Sequence, residues 1–113
     1  MTSQIELLCW EGCPSHPAAL RMVQDALKQL ALLDVSVTAR YIETHEEAVA
    51  ERFVGSPTIR VDGIDIVPPT ESEQYGLTCR LYRLRDGRYS PTPDPLDVTD
   101  ALRSMAVERS THG

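Results

Sequence analysis

The stretch Gln4-Ile-Glu-Leu-Leu-Cys-Trp-Glu-Gly-Cys-Pro-Ser-His-Pro-Ala-Ala-Leu20 runs from an alternating apolar segment, through two cysteines, into a helical pattern. Residues 4–9 read as a short strand. Ile5 and Leu7 alternate with Glu6, and Leu8 supplies a second apolar face, as in a strand covered on both sides. From residue 14 to 33 apolar residues recur in pairs: Ala19 and Leu20, Met22 and Val23, Ala26 and Leu27, Leu30 and Ala31. That is one helical stripe. Pro14 or Pro17 suits only the first turn, where a missing N–H costs nothing, so the spacing predicts a helix beginning directly after Cys13.

Working outward, 34–42 alternates Val35, Val37, Ala39 and Tyr41 against Ser36, Thr38 and Arg40, the pattern of a strand at a sheet edge. Thr44 and Glu47 stand in capping-box spacing ahead of a short helix with Ala48, Val49 and Phe53 on its apolar side. Residues 56–68 read as a hairpin around Asp62-Gly63, a type I′ turn signal. The proline-flanked segment 68–93 is too long for a bare loop and resembles an insertion; Asp86-Gly87 hints at a second hairpin inside it. Asp94 then caps a helix with Pro95 in first position and Val98, Ala101, Leu102 and Met105 as its stripe. Residues 109–113 are expected to fray. The order β-α-β-α-β-β-α predicts one α/β domain over residues 1–113, with a four-stranded mixed sheet flanked by helices on both faces.

Composition narrows the function classes. The chain has 113 residues and net charge −6, which argues against a general nucleic-acid binder. No apolar run approaches the ~20 residues of a membrane span, and no leader is legible at the N-terminus, so a cytoplasmic protein with no membrane partner is expected. Three cysteines without an export signal argue for reactive or buried thiols rather than a disulfide framework. Four arginines fall between residues 80 and 88; such a run is more often a solvated face than an anion site. Nothing in the sequence calls for an organic cofactor: no glycine-rich phosphate loop and no Ser-His-Asp cue is present.

Cys13, placed where a turn gives way to a helix, would face unpaired N–H groups and the positive end of the helix dipole. Its thiolate should therefore form below the free value of about 8.5, in a pocket that water reaches. His16 could stabilise that thiolate, act as a base, or remain a solvated residue of the first turn. Cys9 could pair with Cys13 or be a buried apolar thiol, and Cys79 offers a second candidate partner. Two thiolates at Cys13 and Cys79 would suit Hg²⁺ or Cu(I); a structural zinc site would need further ligands.

Two segments together resemble the thioredoxin-like superfamily. "LLCWEGCPSH" (7–16) is similar to the family's active-site segment, with Cys13 at the nucleophile position, and "GSPTIRVDG" (55–63) to the segment around its cis-proline. The resemblance implies a cis bond before Pro57, and a Ser56 backbone with which an extended ligand pairs strand to strand. More narrowly, "GCP", "GSPTI" and "CRLYR" resemble small bacterial thioredoxin-like proteins sometimes labelled alkylmercury lyases. One departure stands out: His16 occupies the fourth position of the Cys-x-x-Cys pattern, so the usual resolving thiol is missing.

The expectation is thiol–disulfide exchange at Cys13, with Cys9 or Cys79 resolving, His16 assisting, and Ser56, Pro57 and Trp10 lining the substrate site. The partner would be a small thiol or disulfide, or a protein disulfide. The alternatives are a soft-metal or organomercurial protein using Cys13 and Cys79, and a redox-inert interaction module.

Overall fold

A computed structural model describes residues 4–32, 35–69 and 73–112, with the backbone alone from 105 onward. The chain runs β1 (Ile5–Cys9), α1 (His16–Gln29), β2 (Val37–Tyr41), α2 (His45–Ala50), β3 (Thr58–Val61), β4 (Ile64–Asp65), β5 (Tyr82–Arg83), β6 (Tyr89–Ser90) and α3 (Pro95–His112). The first four strands form a mixed sheet in the order β2-β1-β3-β4, and β5 pairs with β6 separately. β1 runs parallel to β2, as a helical crossover requires, and antiparallel to β3.

Alternation along β1 builds two cores. Ile5 and Leu7 join Ile59 of β3, Ala19, Val23, Ala26 and Leu27 of α1, and Val98 and Leu102 of α3. Leu8 points to the other face, against Ile42, Ala48 of α2 and Phe53. Helices thus cover both faces of the central strand, and Leu8 is fully buried as its apolar neighbours predict.

The hairpin turn at Asp62-Gly63 has φ of 51° and 83°, both left-handed as a type I′ turn demands. Thr44 accepts the Glu47 N–H at 3.1 Å, as the capping box predicts. Asp94 caps α3 through the Leu96 N–H at 2.9 Å, and its carboxylate also takes the Arg85 N–H at 2.9 Å, tying α3 to the β5–β6 hairpin. That second hairpin turns through Leu84–Gly87, with the Gly87 N–H on the Leu84 carbonyl at 2.9 Å and Gly87 at φ 92°. This is the three-residue loop with a left-handed glycine rather than a two-residue type I′ turn.

Several boundaries differ from expectation. α1 starts at His16, after an N-cap at Ser15, not directly after Cys13. In β2 the face of Ala39 and Tyr41 is exposed, Tyr41 by 47%, because β2 is an edge strand. α2 stops at Ala50, and Phe53 enters the core from beyond it, after a left-handed turn at Arg52. α3 continues past Glu108 to His112, through most of the tail expected to fray; Gly113 and the Met105 side chain lie outside the described residues. No helix among the described residues is long and apolar enough to cross a membrane.

Candidate functional site

β1 delivers the chain to Cys9, and a tight turn closes with the Cys13 N–H on the Trp10 carbonyl at 2.9 Å. The Trp10 indole folds over Gly12, where a Cβ would lie 2.5 Å from the ring and would displace it. The turn drives Cys13 inward. Its side chain is fully buried, with Sγ 3.4 Å from the Ser56 carbonyl oxygen. The expectation of a water-reachable Cys13 at the helix terminus is therefore corrected, since two residues separate it from α1.

The Ser56–Pro57 bond is cis. The backbone of Ser56 is not open to a ligand, contrary to expectation. Its N–H donates to the Thr78 carbonyl at 2.8 Å, its carbonyl accepts the Arg80 N–H at 2.8 Å, and Cys79 forms a parallel bridge with it. The chain's own residues 78–80 fill that edge.

This pairing sets Cys79 beside Cys13, since Cys13 Sγ also lies against the Ser56 carbonyl. Burial pushes the Cys13 thiol up, but it is outweighed. Hydrogen bonds from the Cys79 thiol and from the N–H and hydroxyl of Ser15 hold Cys13 below the ordinary thiol value, with a smaller contribution from Ser56. The Ser15 hydroxyl is free for this because it makes no cap bond to α1. The Ser56 hydroxyl is buried without a hydrogen bond in the structure. The hydrogen bond to Cys13, then burial, then the Cys13 charge push Cys79 up. Of the two thiols, Cys13 is therefore the more readily ionised. Cys79 is the exposed member of the pair.

The other expected residues sit around this pair without joining it. Cys9 is buried and points its thiol at the Arg40 carbonyl, 3.7 Å away; burial and then the Cys13 charge push it up. His16 donates from Nδ1 to the Cys13 carbonyl oxygen at 3.0 Å, not to the sulfur, and its ring meets Tyr41 edge-on at 5.7 Å. Trp10 packs against the Leu8–Phe53 core, half-buried. Among the described residues no group of three or more His, Cys, Asp or Glu side chains gathers as a metal cage.

What the sequence reading missed is the anchor of the returning segment. Arg80, read as part of a solvated arginine run, is 5% exposed. It pairs with Asp65 at 2.7 Å, donates to Thr58 Oγ1 at 3.3 Å and to the Val67 carbonyl, and stacks over Tyr82 at 4.6 Å. Tyr82 in turn donates its hydroxyl to the Pro57 carbonyl. Arg85 and Arg88 find their own carboxylates, Asp97 and Asp100 for the first and Asp86 for the second, so the run is dispersed. The only signal available beforehand was that Arg80 directly follows a cysteine. Gly55 completes the joint: at φ 147° it brings its backbone so close that a Cβ would lie 2.9 Å from Arg80 backbone atoms.

Comparison with known protein families, with curated proteins and with solved structures finds no match for this chain.

Proposed function

We propose that the protein carries out thiol–disulfide exchange on a thioredoxin-like fold, with Cys13 and Cys79 as the redox pair. The fold reading is supported by the strand order β2-β1-β3-β4, a cysteine in the turn after β1, and a cis-proline leading into β3. The observation that carries the function is the meeting of two cysteines at Ser56: the exposed Cys79 forms a bridge with its backbone, and the buried Cys13 lays Sγ 3.4 Å from its carbonyl oxygen. A thiolate beside a second thiol is the arrangement that attacks and then releases disulfides. Cys79 supplies the second thiol of the pair, and Cys9, turned toward Arg40, does not.

A soft cation held between the same sulfurs is the second reading. Exchange is preferred because one member of the pair lies open to solvent, whereas retention of an ion calls for a closed ligand set. Mild oxidation followed by peptide mapping tests the proposal. A single Cys13–Cys79 bridge, reversed by dithiothreitol, is expected. Three free thiols, or a Cys9–Cys13 bridge, would overturn it.

A further inference from the structure

We infer that the substrate is a low-molecular-weight disulfide, attacked first at Cys79 rather than at Cys13. The inference rests on the exchange reading and adds to it the substrate class and the order of attack.

The argument starts from the edge beside Pro57. An extended peptide binds a strand edge through that edge's free N–H and C=O groups. At Ser56 both are already bonded, to Thr78 and Arg80. The occupying segment is itself held by the buried Arg80–Asp65 pair and by the close approach of Gly55. A polypeptide would have to strip off residues 78–80 before it could lie there. A small disulfide needs no such edge, only one exposed sulfur. Cys13 is enclosed, and Cys79 is the exposed one.

Ser56 brings the two cysteines together: Cys79 forms a bridge with its backbone, and Cys13 Sγ lies 3.4 Å from its carbonyl oxygen. Cys79 loses its proton to water, and its thiolate attacks one sulfur of R–S–S–R. The substrate S–S bond breaks as Cys79–S–S–R forms, and the departing RS⁻ is protonated by water; the Cys13 thiol in turn loses its proton to water. The Cys13 thiolate then attacks the Cys79 sulfur, closing the Cys13–Cys79 bridge and displacing the second RS⁻, which is protonated by water. The substrate gains two electrons and leaves as two thiols; the protein dithiol loses two. Cys79 is thus the nucleophile of the first step and Cys13 of the second.

The test treats the full-length reduced protein and its Cys13→Ser and Cys79→Ser variants with oxidised glutathione, and follows adducts by mass spectrometry. Cys13→Ser is expected to accumulate one glutathione on Cys79. Cys79→Ser should react more slowly by about tenfold or more, since an enclosed thiol reacts only through transient opening. Brief iodoacetamide labelling of the unmutated protein, which needs no variant to fold, should mark Cys79 before Cys13. Insulin, a protein disulfide, should be reduced no faster than by Cys79→Ser. First labelling at Cys13, adduct formation in Cys79→Ser at the unmutated rate, or rapid insulin reduction would overturn the inference. If the Cys13–Cys79 bridge still forms on mild oxidation, exchange stands and only the substrate and order fail; if no bridge forms, both fall.

Discussion

The Arg80–Asp65 pair is where stability and the site meet, and Arg80→Met probes it. Methionine keeps the apolar bulk over Tyr82 but removes the charge and the hydrogen bonds to Thr58 and Val67. The Arg80 side chain is 3% exposed and that of Asp65 12%, so the carboxylate would be left buried without its cation. Removing one partner of such a pair costs about 3–5 kcal/mol. With a urea slope of about 2 kcal/mol per molar for a domain of this size, the unfolding midpoint should fall by about 2 M. Burial pushes the Asp65 carboxyl up despite the opposing pull of Arg80, so the pair does not fully repay its desolvation. Replacing both partners, Arg80→Met with Asp65→Leu, should therefore bring stability back to within about 1 kcal/mol of the unmutated protein.

The pH dependence has a definite sign. Asp65 has a folded pKa above its unfolded value, so its favourable contribution is full below the unfolded pKa and is lost as pH rises through the folded one. Without Arg80 that upward push is unopposed, and the single variant should regain stability on acidification where the double variant does not. Urea titrations followed by Trp10 fluorescence at neutral and mildly acidic pH measure both effects. An Arg80→Met protein within about 1 kcal/mol of the unmutated one at neutral pH, or a double variant as unstable as the single, would refute the account of a buried and incompletely repaid pair.

Three further outcomes are expected. Cys79→Ala should raise the Cys13 pKa, since it removes the hydrogen bond that does most to hold that thiol down; thiolate absorbance against pH reads the shift. Gly55→Ala should lever residues 79 and 80 off Ser56, and a fall in the rate of Cys13–Cys79 bridge formation in a protein that still melts cooperatively would show it. Asp94, held below the usual carboxylate range by the Arg85 and Leu96 N–H groups, contributes stability that is present above its unfolded pKa and lost as pH falls through the folded one. Asp94→Asn should flatten the acid limb of the stability curve, measured by urea unfolding across the acid range.

Much of the fold was legible because its signals are local. Ile5, Leu7 and Leu8 announced a strand buried on both faces, Asp62-Gly63 a tight hairpin, and Thr44 and Asp94 the starts of their helices. Each depends on residues within a turn or two of one another, where side-chain type governs backbone geometry directly. The departures arise where neighbours distant in sequence intervene. Ala39 and Tyr41 alternate like buried residues yet stay exposed, because β2 is an edge strand and only the His16 ring at the start of α1 meets Tyr41 there. Phe53 fills the core beyond α2 because a left-handed Arg52 turns the chain back.

By itself the sequence determined the first four strands, the three helices and their order, and a cysteine in the turn before the first helix; the β5–β6 hairpin it only hinted at. Only the tertiary structure decided which thiol meets it and which sulfur faces water. That choice rests on backbone hydrogen bonds between Ser56 and residues 78–80, which are indifferent to side chain, and on an arginine buried by a carboxylate fifteen residues earlier in the chain. Contacts of this kind exist only after the chain has closed on itself, and so they leave no periodicity to read.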